Sequence, residues 1–240
     1  MATMTMANKP ISTTDPITSP LRASLPVGVW RGSEHAGRHG SCIQAHQTLD
    51  AWLPGGGWPL GSLNELLVDG PGCGEIGLVA PALRRLAGAS DVVLLNPPAT
   101  PNVRAWRLSS QRLWRLRAQR HNDACWSAQT VLQSHAFGAL LAWLDPIDPA
   151  ALRRLHACAQ ASNILLFVFR PSTAAASFSP APLRLALAPG AHDQVQITVL
   201  KSKGPKPTKP LTLSRQAESL AGENSSWIEH VDGHYNRALA

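Results

Sequence analysis

The sequence is short of charge, of tyrosine and of paired cysteines. Asp, Glu, Lys and Arg make up only 15% of its 240 residues, against about a quarter in an average soluble domain. Four cysteines, Cys42, Cys73, Cys125 and Cys158, stand far apart with no C-x-x-C pair. That spacing implies neither a disulfide framework nor a zinc ribbon, and fits a reducing compartment. No apolar run approaches the ~18 residues that cross a bilayer, and residues 1–26, rich in Thr, Ser and Pro, carry no apolar signal region. The expectation is a cytoplasmic protein with no membrane partner. No Ser-His-Asp or paired-carboxylate pattern stands out. His35, His39, Cys42 and His46 have ligand-like spacings within a glycine-rich stretch, but no metal is expected there. One tyrosine and four phenylalanines accompany eight tryptophans, which read mainly as core fillers, with stacking on bases or plugging of interfaces as the alternative.

What is present defines a globular α/β chain. Apolar residues reach 44%, enough for a sizeable core, which excludes a wholly disordered or fibrous protein. With 18 glycines and 20 prolines, loops take much of the length. The length suits one compact domain with tails: a disordered tail over 1–26, a domain over 27–213 and a flexible tail over 214–240. The formal net charge of +7 suits phosphate-bearing or acidic partners.

Along the chain, Leu49 to Leu53 reads as a short helix stopped by Pro54 and three glycines. Residues 61–68 (GSLNELLV) read as a buried strand, 69–75 as a loop and 76–86 as a helix despite Pro81. Asp91 to Leu95 is a central strand halted by Pro97 and Pro98. Arg104 to Arg120 holds six arginines with Trp106 and Trp114. Its first half (105–111) has a helical pattern and Leu113 to Arg117 alternates as a strand. A helix capped at Asn122 or Asp123 runs to Ser134, a strand covers 136–144, and Asp148 followed by Pro149 caps a helix to Ala161 that feeds a strand at 164–169. Alternating strands and helices at this spacing predict a mostly parallel sheet flanked by helices. After a Ser/Ala/Pro loop, strands at 183–187, 195–200 and 211–213 are expected to pair antiparallel.

Strand, glycine loop and helix at 61–86 stand in the order of a phosphate-binding loop, whose backbone N–H groups cradle phosphates while a lysine and a Ser/Thr hydroxyl serve charge and magnesium. With Gly70, Gly72 and Gly74 as the cradle, Glu75 takes the lysine position and Ile76 the hydroxyl position. A carboxylate repels phosphate and isoleucine cannot ligate magnesium. The plainer alternative is a glycine turn that opens a helix.

The residues Leu49-Asp50, Leu53 to Gly57, Pro59, Gly61, Glu65, Gly70 and Gly72 to Glu75 resemble the opening of the RecA core with its nucleotide loop degraded. More narrowly, Val29 to Gly32, the segment LPGGGWPLGSLNELLVDGPGCGE, Trp143-Leu144, Phe169 to Pro171, Ser179 to Leu185 and Lys203 to Pro205 resemble the ImuA family, whose members are sometimes labelled SulA-like division inhibitors. The likeness spans about Val29 to Leu213. It implies a RecA-like fold with a degenerate P-loop, no cofactor, and a non-catalytic role in DNA-damage-induced translesion synthesis. The implied partners are ImuB, an error-prone alpha-type polymerase subunit, a RecA filament and, weakly, single-stranded DNA. A RecA-like DNA-dependent ATPase and a SulA-type division inhibitor are the alternatives. Where RecA-type ATPases place a catalytic glutamate, this chain has Asn96-Pro97-Pro98. Asp145 falls near the magnesium-ordering aspartate, and Lys201 and Lys203 match a lysine pair that reaches the neighbouring subunit's nucleotide.

Further site expectations concern charge and the C-terminus. Arg170, Lys201, Lys203, Lys206 and Lys209 lie in two loops that together would make a basic surface for DNA or a partner; solvated turns are the plainer reading. The arginines of 104–120 suit single-strand stacking or mere solvation. Trp227, Ile228, Val231 and Tyr235 recur at helical spacing and are expected to form a partner-binding motif.

Overall fold

A computed structural model describes residues 41–191, 193–203 and 207–214. A two-residue ribbon pairs β1 (Cys42–Ile43) antiparallel with β2 (Trp58–Pro59), with the short α1 (Gln47–Asp50) between them. The main sheet begins with β3 (Ser62–Val68), followed by α2 (Glu75–Ala87), β4 (Asp91–Leu95) and β5 (Leu113–Leu116). Then come α3 (His121–Gln133), β6 (Phe137–Trp143), α4 (Pro149–Ser162), β7 (Leu165–Pro171), β8 (Leu183–Pro189), β9 (Gln194–Lys201) and β10 (Leu211–Ser214). The eight strands are ordered β10-β9-β8-β3-β7-β6-β4-β5. Strands β3 to β8 run parallel, and β9 and β10 close the far edge antiparallel. The mixed α/β architecture expected from the alternation is therefore present.

Side-chain alternation sends each strand's residues to two different layers. On one face Leu66, Leu94, Leu141, Phe167, Leu185 and Ile197 pack with Leu78, Val79 and Leu83 of α2 and with Trp58. On the other, Leu63, Val93, Leu140, Leu166 and Val168 pack under α3 and α4 through Ala128, Leu132, Leu152 and Leu155. Strands β3, β4, β6 and β7 are covered on both faces and read as near-continuous apolar runs, as parallel strands between helices must. In β9 buried Val195, Ile197 and Val199 alternate with exposed residues, the pattern of a strand covered on one side only.

Most element positions agree with the sequence reading, and the exceptions have local causes. The helical pattern at 105–111 yields only a turn with Arg107 at φ 52° and a 3-10 helix at Ser110–Arg112. Trp106 and Leu108 of that stretch pack against the α2-side core, and tertiary contact overrides a weak local propensity. Helix α3 starts before the expected cap: its N-cap is Arg120, with no side-chain capping bond. Asp123 lies instead in the first turn, where a carboxylate favours the helix dipole. The Asp148 cap is as expected, its Oδ1 accepting from Ala151 N–H at 2.7 Å with Pro149 at the first helical position. The β1–β2 ribbon had no sequence signal. The tail segments 1–26 and 215–240, with Trp227, Ile228, Val231 and Tyr235, lie outside the described residues, as does Lys206.

Trp58 anchors the ribbon to the sheet. It is fully buried, edge-on to Phe167 with ring centroids 4.9 Å apart, and its indole N–H has no hydrogen-bond partner among the described residues. Trp58→Ala is expected to cost about 3–5 kcal/mol in a urea titration. Trp58→Phe should cost far less, since it forfeits volume but no hydrogen bond.

Candidate functional site

The glycine loop follows the carboxyl end of β3, the central strand, and opens α2. Gly72 and Gly74 sit at φ 86° and 98°, left-handed values that suit glycine. Leu78 N–H donates to the Gly74 carbonyl at 3.1 Å, and the Cys73 thiol to the Gly70 carbonyl at 3.0 Å. The Glu75 carboxylate turns back into this loop. It is only 3% exposed and accepts from Gly72 N–H at 3.1 Å. A helix N-terminus favours an anion, and here the chain's own carboxylate lies in the first turn and takes one loop N–H, that of Gly72. Ile76, in the next position, packs against the α2-side core and offers no ligand atom.

At the end of β4, Asn96 adopts a left-handed conformation at φ 54° and its Oδ1 accepts from Ala118 N–H at 2.8 Å. The amide thus ties the exit of β4 to the segment after β5. Asp145, just beyond β6, keeps a half-exposed side chain 3.9 Å from Arg170 Nε.

Arg170 does not belong to an exposed basic loop, contrary to the sequence reading. It is the sixth residue of β7, 7% exposed, and its Nη1 donates to Glu65 Oε1 at 2.8 Å. The Arg184 Nε donates to the other oxygen, Oε2, at 2.6 Å, and Arg184 Nη2 reaches the Ala174 carbonyl at 2.8 Å. Glu65, Arg170 and Arg184 lie on adjacent parallel strands and on the α3–α4 face. Burial alone would be costly for each charge, so each needs its partner. Part of the signal was legible: a glutamate inside the apolar run SLNELLV requires a cation, and Arg184 stands on a predicted strand while Arg170 follows another by one residue.

The lysines lie elsewhere. Lys201 ends β9, which runs antiparallel to β8, and is paired with Arg184 near the start of β8. Lys201 therefore stands beside Arg184, and the chain beyond it, with Lys203, leaves the sheet at the end away from the glycine loop. The Lys201 ammonium donates to the Ser179 carbonyl at 3.1 Å, while Lys203 and Lys209 are exposed. His156 of α4 stands near this end, its Nδ1 accepting from Leu63 N–H at 3.1 Å. Burial, and then Lys203 and Lys201, hold its pKa below the usual histidine value.

The arginine-rich stretch divides. Arg112 and the Trp114 indole N–H both reach the Asp91 carboxylate, at 3.4 and 2.9 Å, so part of it is structural. Of the histidine–cysteine spacing, Cys42 donates to the Gly55 carbonyl and His46 precedes α1; His35 and His39 lie outside the described residues. Among the described residues no cluster of His, Cys, Asp and Glu is arranged to hold a metal, and no helix is long and apolar enough to cross a membrane.

No family model matches the chain, and no curated protein does. Among solved structures, that of SulA from Pseudomonas aeruginosa is similar to it, at 26% identity and a TM-score of 0.39 over 45% of this chain and 97% of the SulA chain. A likeness of that TM-score carries no argument about fold or function.

Two outcomes test this geometry. Glu65→Ala leaves two buried guanidiniums uncompensated and should destabilise the protein by about 3–5 kcal/mol in chemical denaturation. For His156 the folded pKa is depressed below 6.5, so the unfolded chain binds the proton more readily. Its contribution is full above about pH 6.5 and declines as the pH falls towards the folded value. Thermal melts from neutral to mildly acid pH should show that decline, and His156→Gln should reduce it.

Proposed function

We propose that this chain is a non-catalytic RecA-fold accessory protein of a translesion synthesis complex, as its resemblance to the ImuA family implies. The observation that carries the reading is the Glu75 carboxylate, buried and hydrogen-bonded to Gly72 N–H within the glycine loop. A triphosphate entering there would have to displace an anion covalently fixed to the helix start, without a lysine to compensate. Read as a degenerate P-loop, the segment keeps its turn and has lost its reagents. In the resemblance Pro98 replaces the general base, and nothing in Asn96-Pro97-Pro98, where Asn96 Oδ1 accepts from Ala118 N–H, can accept a proton. These features disfavour the DNA-dependent ATPase alternative. The glycine loop at the carboxyl end of a central parallel strand supports the RecA-like reading of the sheet.

In this role the protein recruits rather than reacts. Its partners would be ImuB, the error-prone alpha-type polymerase subunit and a RecA filament, held by surfaces that stacking protomers use in catalytic relatives. The lysine edge adds a weak, salt-sensitive affinity for anionic polymer such as single-stranded DNA.

Purified protein is expected to neither bind nor hydrolyse ATP in calorimetry and phosphate-release assays, and Glu75→Lys alone should not restore turnover. Wild-type hydrolysis that a Gly74 substitution abolishes would overturn the reading. ImuB should be retained by the immobilised full chain with and without single-stranded DNA; no retention in either condition would refute the adaptor role. Replacing Lys201 and Lys203 by alanine should lower DNA affinity in a salt titration and shift melting little, because Lys203 is exposed and Lys201 gives up one hydrogen bond to Ser179.

A further inference from the structure

Helices α3 and α4 lie side by side on one sheet face, and the N-terminal half of their seam opens into a cleft of about 300 Å3. Trp126 of α3 stands in it 60% exposed, whereas Trp58 is fully buried and Trp52, Trp106 and Trp143 pack against the core. Asn122 and Gln129 precede and follow Trp126 by four and three positions, so they share its helix face one turn away on either side. Both line the cleft, and Arg154 of α4 faces them across it. Ala151, small and buried, helps form the wall between.

The other polar groups of the cleft are already engaged. Asp148 Oδ1 accepts from Ala151 N–H, and this exposed carboxylate also interacts electrostatically with Arg154 and His121. The Cys125 thiol lies 3.6 Å from His121 Nε2, and burial, then Asp148, pushes its pKa up, so it stays a neutral wall. Arg154 makes no salt bridge among the described residues. Arg120 and Arg153 are exposed, and Asp123 lies in the first turn of α3. An exposed indole face, two amides that both donate and accept, and an exposed guanidinium that makes no salt bridge, although the Asp148 carboxylate lies close enough for the two charges to interact, are the elements that hold a base, its edge and its phosphate.

We propose that this cleft binds single-stranded nucleic acid, with one base stacked on Trp126, its edge met by Asn122 and Gln129, and a flanking phosphate held by Arg154. The site is separate from the lysine edge and independent of the adaptor reading: a strand held here needs neither Lys201 nor an ImuB partner.

The test is fluorescence anisotropy of a labelled oligothymidylate and of an abasic strand of equal length, titrated with the full chain. Trp126→Ala should weaken oligothymidylate binding about tenfold and leave the abasic strand unaffected, with an unchanged melting temperature because the ring is exposed. Trp126→Phe should recover most of the loss. Arg154→Ala should weaken both strands, and the Lys201/Lys203 double alanine variant should leave the difference between the two strands intact. Equal affinity of wild type and Trp126→Ala for oligothymidylate would overturn the proposal, as would equal losses on the two strands. Displacement of the oligothymidylate by a glutamate-rich aromatic peptide at lower concentration than by unlabelled strand would assign the cleft to an acidic protein segment instead.

Discussion

Glu65 lies in the middle of the central strand β3, fully buried, with a guanidinium on each carboxylate oxygen. Arg170 comes from β7 on one side and Arg184 from β8 on the other, so the cluster joins β3 to two consecutive strands that lie far from it in sequence and flank it in the sheet. The chain leaves β7, passes over β3 and returns as β8, and Arg184 ties that passage down by donating to the carbonyls of Ala174 and Ser177. Such a cluster is weak evidence for added stability, because desolvating three charges offsets much of their attraction. Its consequence is specification: any other pairing of these strands leaves a buried charge unmatched, at a cost of several kcal/mol.

The same logic of internal compensation recurs at the glycine loop. The start of α2 favours an anion, and Glu75 supplies one from within the chain, held by Gly72 N–H. The left-handed turn at Gly72 and Gly74 is retained. The turn and the Glu75 contact together fix the junction of β3 and α2.

Positive charge appears at the lysine edge near His156, around the start of α3 and in the stretch before β5, while the most buried arginines serve the core. Exposed aromatic rings are few, Trp114, Trp126 and Phe178 among the described residues, and the first is bound to Asp91. A net positive chain with scattered cationic patches attracts anionic polymers broadly; placement of an aromatic ring within a polar cleft is what adds discrimination to that attraction.

Much of the architecture could be read before any coordinates. The apolar runs of β3, β4, β6 and β7, the Asp148-Pro149 start of α4 and the glycine break before α2 are local signals, carried by periodicity, capping and steric limits that need no distant partner. For the same reason the carboxylate and the apolar side chain that open α2, Glu75 and Ile76, were legible from two residues. What the tertiary structure alone decided was where charge goes. Sequence placed Arg170 with the lysines because both follow strands; the antiparallel run of β9 makes the chain after Lys201 leave at the other end of the sheet, and Glu65, 105 residues away, draws Arg170 inside. The Trp126 cleft arises likewise from two helices separated by a strand. Long-range pairings depend on strand order and helix docking, and those follow from the packing of the whole sheet rather than from any window of the chain.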